Sequence, residues 1–164
     1  RGHNGAIRVT SEPDTGTRFQ FLLPIALTDT LPVSPASTVE FSGKGSTVLV
    51  IDDEENIRRL LQLNLARMDL KVLVASGGEE GLALYRQHKD DIALVITDLH
   101  MPGINGIAVL ESIRASAPGL PVLVISGRVG DRDLERLTKL GIAALVDKPF
   151  GCPQMLKAVK DILG

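Results

Sequence analysis

The chain has 164 residues, 44% hydrophobic and 23% charged, a balance that allows a packed core and excludes wholesale disorder. Aromatic residues are only 3%, Trp is absent and the formal net charge is −2, which argues against a base-stacking platform and against a basic footprint for nucleic acid. A single cysteine, Cys152, excludes a disulfide framework and a cysteine-rich zinc site.

In chain order, Gly5–Val9 and Thr17–Leu23 alternate apolar and polar residues around Glu12-Pro13-Asp14-Thr15-Gly16, a turn signal. The pattern predicts a β-hairpin within residues 1–24. Residues 25–46 are rich in Ser, Thr, Pro and Gly, and Pro32 and Pro35 disfavour both helix and central strand, so this stretch is expected to be a linker. Residues 47–164 have the length of an ordinary domain.

That domain repeats a strand-then-helix rhythm. Runs rich in Val, Leu, Ile and Ala fall at Thr47–Ile51, Lys71–Ala75, Ile92–Thr97, Pro121–Ile125 and Ile142–Val146. They are nearly continuous rather than alternating, which suits strands buried on both faces of a parallel sheet. Helical spacing of three and four links Ile57, Leu60, Leu61 and Leu65 within Glu54–Met68. It also links Ile107, Leu110 and Ile113, then Leu134, Leu137 and Leu140, and it recurs in Pro153–Leu163. The expected fold is α/β, a doubly wound sheet with right-handed crossovers and helices on both faces.

Polar residues collect where the strands end. TVLVI runs into Asp52 and Asp53, ALVIT into Asp98, VLVI into Ser126 and ALV into Asp147 and Lys148. Open α/β sheets bind ligands beyond the carboxyl ends of their strands, so these groups should share one rim. Clustered carboxylates repel one another, and a hard cation such as Mg²⁺ with oxygen-only ligands relieves that repulsion. Lys148 adds a compact positive charge and Ser126 a hydroxyl. Together they suit a phosphoryl group carried on a carboxylate, since in-line transfer needs mainly positioning and charge stabilisation. Each residue alone has an ordinary structural role: a strand-end Asp caps a helix, a lone lysine is solvated, and Ser126-Gly127 makes a turn.

The stretches VLVIDDEENIRRLL, LVITDLHMPGINGIAVL, VLVISGR and ALVDKPF resemble the response-regulator receiver domain, the phosphoacceptor module of two-component signalling. The resemblance covers residues 47–164 and implies a (βα)5 flavodoxin-like sheet of order 2-1-3-4-5, an order for which a member of this family is a standard example. It also implies Asp98 as phosphoacceptor, Asp53 as direct Mg²⁺ ligand and Asp52 acting through water, with the His100 backbone carbonyl as a further ligand. Ser126 would hydrogen-bond the phosphoryl group and Lys148 would pair with it, ahead of a cis bond to Pro149. His100 and Arg128 occupy the positions that modulate dephosphorylation in the family. The sequence departs at Leu145, where the family usually places Tyr or Phe as part of the switch, which leaves the output mechanism open.

The segment HNGAIRVTSEPDTGTRFQFLLP resembles the last hairpin of a histidine kinase ATPase domain. With the receiver behind it, the chain is expected to be the C-terminal part of a hybrid histidine kinase. This segment lacks the kinase catalytic elements, while the longer chain would be a protein histidine kinase. The partners implied are the kinase domain of the same protein and a histidine phosphotransfer protein, with no nucleic acid. No apolar run reaches the roughly 18 residues of a membrane span, and no signal peptide is visible. The expectation is therefore a cytoplasmic segment without membrane contact, in a parent that could be membrane-anchored. Two rivals share parts of the pattern, a non-phosphorylated receiver-like interaction module and an aspartyl-nucleophile phosphatase. The phosphatase expects a second carboxylate where Asp98-Leu99-His100 has none. A flavin-mononucleotide binder would need a hydroxyl-rich phosphate loop where Asp52 and Asp53 stand. A dinucleotide binder needs a Gly-x-Gly-x-x-Gly run after a strand, and none is present.

Overall fold

The computed structural model describes residues 6–12, 16–22 and 43–164. The turn at 13–15 and most of the expected linker lie outside the described residues. Two units divide between Thr38 and Val39.

The first unit contains β1 (Ala6–Glu12) and β2 (Gly16–Leu22), paired antiparallel. The pairing sets Ile7 opposite Phe21 and Val9 opposite Phe19, so alternation gathers these four apolar side chains on one face of the ribbon, with Leu22 on the other. The hairpin expected from the sequence is present, with β1 running three residues closer to the turn than the alternation suggested and β2 one residue closer.

The second unit runs β3 (Thr47–Ile51), α1 (Glu55–Ala66), β4 (Lys71–Ala75), α2 (Gly78–His88), β5 (Ile92–Asp98), α3 (Gly106–Ser116), β6 (Val122–Ser126), α4 (Asp131–Lys139), β7 (Ala144–Asp147) and α5 (Cys152–Leu163). Its sheet has the order β4-β3-β5-β6-β7, all parallel. Counted within the sheet this is 2-1-3-4-5, as expected. The continuous apolar runs are explained by burial on both faces. Leu49, Ile51, Val95, Val122 and Val124 point into a core layer with Leu82, Leu110, Ile113 and Leu137 of α2, α3 and α4. Their neighbours Val48, Val50, Leu94, Ile96, Leu123 and Ile125 point into a second layer with Leu61, Leu65, Met155 and Val159 of α1 and α5.

Boundaries shift for local reasons. Pro121 has no N–H to give, so β6 begins at Val122. Gly141 turns the chain with φ +70°, and Ile142 and Ala143 belong to the approach to β7. Glu54 has extended backbone angles and is the N-cap of α1 rather than its first residue. Gly43–Ser46, read as the end of the linker, are tied to the α1–β4 turn: Gly43 N donates to Met68 O, Gly45 N to Asp69 O, and Lys71 N to Ser46 O. Among the described residues, no helix is long and apolar enough to cross a membrane.

Candidate phosphoacceptor site

The carboxyl ends of β3, β5, β6 and β7 meet at one rim. Parallel pairing aligns Ile51 with Thr97, Asp98 with Ile125, and Ser126 with Asp147. The side chains just beyond these pairs are therefore delivered to a common edge. Backbone bonds continue the alignment past the strands: Asp52 N donates to Ala75 O, Leu99 N to Ile125 O, and Lys148 N to Ser126 O at 2.7 Å.

The loop after β5 is held close by glycine. Gly106 N donates to Leu99 O, and a Cβ on Gly106 would lie 2.3 Å from the Asp98 carbonyl oxygen. No other residue fits there without moving the loop. Gly103 takes φ +73°, and the Asn105 side chain accepts from Ala108 N at 3.0 Å, capping α3.

At the centre is Lys148. Its Nζ donates to Asp98 Oδ2 at 2.9 Å, Glu54 Oε1 at 2.9 Å and Asp52 Oδ2 at 3.1 Å. Asp52 is fully enclosed and Asp98 is buried. Lys148 is largely buried, with its side chain 17% exposed. Burial raises the Asp52 carboxyl above its ordinary value. The Glu54 N–H donating to Oδ1 at 2.8 Å and the Lys148 ammonium pull the other way, and the neighbouring Asp98 charge adds to the rise. For Lys148 burial works downward, but the hydrogen bonds it donates to three carboxylates outweigh it and the ammonium is held above its ordinary value. The Lys148–Pro149 peptide bond is cis, as the resemblance implied.

The predicted residues divide around this centre. Asp52, Asp98 and Lys148 are brought together directly. Ser126 is buried at the adjoining strand end, its Oγ donating to Arg128 O at 3.1 Å and lying 3.3 Å from His100 Nδ1. His100 N donates to Asp98 Oδ1 at 3.3 Å. An open cleft is lined by Glu54, Asp98, His100, Gly127, Arg128 and Lys148, so His100 and Arg128, the two expected modulators, both border Asp98. Leu145 is half-buried and packs on the core layer of α2, α3 and α4. Asp53 is exposed and lines an adjoining cleft with His100, Met101, Asn105, Asp133 and Arg136. Glu54, which the sequence reading passed over, offers a carboxylate oxygen that lies with those of Asp52 and Asp98 all within 4.8 Å of one another. An acidic residue after Asp52-Asp53 reads as an ordinary first-turn helix acid, and only geometry shows where it reaches.

The donor set fits a hard divalent cation. Three carboxylates converge, all its side-chain donors are oxygen, and the ammonium already among them shows that the spot favours positive charge.

Comparison with known proteins agrees with this geometry. The response regulator receiver domain family matches residues 48–160. The chain is 30% identical over 129 residues to the autoinducer 1 sensor kinase/phosphatase LuxN of Vibrio harveyi, covering 79% of this chain and 14% of LuxN. It is 35% identical over 116 residues to the alkaline phosphatase synthesis transcriptional regulatory protein PhoP of Bacillus subtilis, covering 71% of this chain and 48% of PhoP. The chain thus spans half or less of these relatives. Among solved structures, a response regulator receiver domain protein from Clostridium thermocellum shares 31% identity at a TM-score of 0.66, covering 72% of this chain and 94% of that one. The non-phosphorylated HemR receiver domain from Leptospira biflexa shares 27% identity at a TM-score of 0.68, with the same coverage. The sheet order, the acidic rim and these matches converge, and the chain belongs to the response regulator receiver domain family of two-component systems.

Proposed function

We propose that this chain accepts a phosphoryl group on Asp98 from a kinase phosphohistidine, within a hybrid sensor histidine kinase. The observation that carries the reading is Asp98 buried at the end of β5 with the Lys148 ammonium 2.9 Å from its Oδ2. Asp98 attacks phosphorus in line with the phosphorus–nitrogen bond. That bond breaks, the imidazole leaves with the electron pair and takes a proton, and an acyl phosphate forms on Asp98. Lys148 and the Ser126 hydroxyl bind phosphoryl oxygens as charge develops there. A Mg²⁺ bound by Asp52, Asp53, Asp98 and the His100 carbonyl, with Glu54 within reach, would offset the negative charge of donor and acceptor. Arg128, always charged, shields the acyl phosphate at the cleft mouth and slows its loss. From Asp98 the phosphoryl group passes to a histidine phosphotransfer protein or is hydrolysed.

The hybrid-kinase setting rests on the resemblance of the hairpin to a kinase ATPase terminus. It also draws on the likeness to LuxN, whose name describes a sensor kinase/phosphatase. On this reading the domains are 1–24, the end of the ATPase domain, 25–46, the linker, and 47–164, the receiver. The segment would act in the cytoplasm, whether or not the parent is anchored.

The test is intact mass after incubation with a small acyl phosphate and Mg²⁺. The wild-type chain should gain one acid-labile phosphoryl group and Asp98→Ala none. A gain of equal rate in Asp98→Ala would refute the assignment.

A further inference from the structure

An ammonium has three N–H donors, and in Lys148 all three are engaged, by Asp98, Glu54 and Asp52. No donor is left for the phosphoryl oxygens of an incoming phosphodonor, so Lys148 can bind them before transfer only if one of these bonds is given up. The three are not equal. Before transfer Asp52 and Asp98 are both buried carboxylates, and taking the ammonium from either then strands a charge away from water. The Glu54 side chain is 59% exposed, so water takes over its carboxylate as soon as Lys148 leaves. Its backbone N–H is fixed to Asp52 Oδ1, but its side chain makes no cap bond on α1. Within the cleft that borders Asp98, the link to Lys148 is the tie recorded for the Glu54 carboxylate.

We propose that Glu54 is a positioning residue that competes with the phosphoryl group for Lys148, acting as a brake on phosphorylation of Asp98. The inference rests on the phosphoacceptor reading above. In the resting domain Glu54 holds the third donor of the ammonium. Transfer from an acyl phosphate forms the bond from Asp98 oxygen to phosphorus and breaks the bond to the leaving carboxylate, which departs with the electron pair. Lys148 reaches the donor's phosphoryl oxygen, and so assists the transfer, as it exchanges Glu54 for that oxygen. Removing the competitor should speed transfer by the modest factor that an exposed ion pair is worth, about two- to five-fold.

The experiment compares wild type, Glu54→Ala and Glu55→Ala. Glu55 is an exposed neighbour on α1 with the same charge and no recorded bond to Lys148. Each variant is assayed with an acyl phosphate at a Mg²⁺ concentration that calorimetric titration shows to saturate it, so any change in metal affinity drops out. The expected result is a rate about two- to five-fold higher for Glu54→Ala, with Glu55→Ala at the wild-type rate. An independent reading uses the metal-free protein. The two ε-methylene protons of Lys148 should become more nearly equivalent by NMR in Glu54→Ala and stay distinct in Glu55→Ala. An equal or slower rate in Glu54→Ala while wild type is phosphorylated overturns the brake. The same acceleration in Glu55→Ala also overturns it, by showing a long-range charge effect. Unchanged Lys148 signals in Glu54→Ala overturn the tether itself. If wild type gains no phosphoryl group, the Asp98 reading fails and the brake fails with it, whatever the NMR result.

Discussion

Asp52 is a carboxylate with no exposed surface beside a second buried carboxylate, and its charge is tolerated because Lys148 and one backbone N–H face it. Because burial raises its folded-state pKa, the native protein holds a proton there that the unfolded chain has already released. Stability therefore falls as pH rises from about 3.9, the unfolded carboxyl value, through the raised native one. Lys148, also raised, contributes stability that is present below about 10.4 and is lost as pH climbs through its native value. Asp52→Asn should accordingly stabilise the metal-free domain at pH 7, with the gain shrinking toward pH 4. Urea denaturation across that range checks it, and a destabilised Asp52→Asn at pH 7 would contradict the burial argument. Asp52, Asp98, Ser126 and Lys148 were legible at this scale because each directly follows or closes a strand, so alignment of the strands aligns the residues. Glu54 was not, because four acidic residues in a row, Asp52 to Glu55, leave undetermined which side chains turn toward the rim and which toward solvent. The placement of Asp53 outside the convergent set has the same origin.

Among the elements, α3 and α4 contrast most. α3 buries Ile107, Val109, Leu110 and Ile113, whereas α4 buries only Leu137, leaving Leu134 exposed and Leu140 half-buried. The apolar spacing that revealed α4 was real, but a nine-residue helix at this position covers the sheet with one side chain. What ties α4 down is Arg114 at the end of α3. Its guanidinium donates to the carbonyls of Leu120 at 2.6 Å, Leu140 at 2.8 Å and Gly141 at 2.8 Å. These close the α4 terminus onto α3 and the loop before β6, and the desolvation of Arg114 lowers its pKa. Arg114→Met keeps much of the stem and removes the donors. It should cost about 1.5–3 kcal/mol, the range for hydrogen bonds to a charged group, read as a lower urea midpoint at unchanged slope. Hydrogen exchange should rise most in α4. The helix α2 was not singled out by periodicity, and the reason is local: Gly78 and Gly81 occupy its buried face. A Cβ on Gly78 would meet the Ile104 carbonyl oxygen at 2.3 Å, and one on Gly81 would meet Ile51 Cδ1 at 2.4 Å. Close packing there uses residues that carry no hydrophobic signal.

At the scale of the whole molecule, the two core layers are built, among the described residues, from side chains of the second unit. The hairpin carries its apolar side chains exposed: Ile7, Val9, Phe19 and Phe21. A two-stranded ribbon by itself is marginal in water. A chain beginning at Val39 should therefore keep the thermal midpoint of the receiver unit, and a loss of several degrees on truncation would show that the hairpin supports it. The five-stranded order was readable in outline because buried parallel strands advertise themselves as continuous aliphatic runs, and because crossovers between them have one hand. The centre of the site is drawn from distant parts of the chain, Lys148 lying 96 residues from Asp52 and 50 from Asp98. Translation thus delivers both enclosed carboxylates well before the cation that neutralises them. A nascent or truncated chain lacking β7 would have to enclose two like charges with no counterion, an arrangement penalised by both repulsion and desolvation. Completion of the sheet and competence for chemistry consequently arrive together. On the phosphoacceptor reading proposed above, a ribosome-bound or prematurely terminated copy would compete poorly with finished receivers for phosphoryl groups.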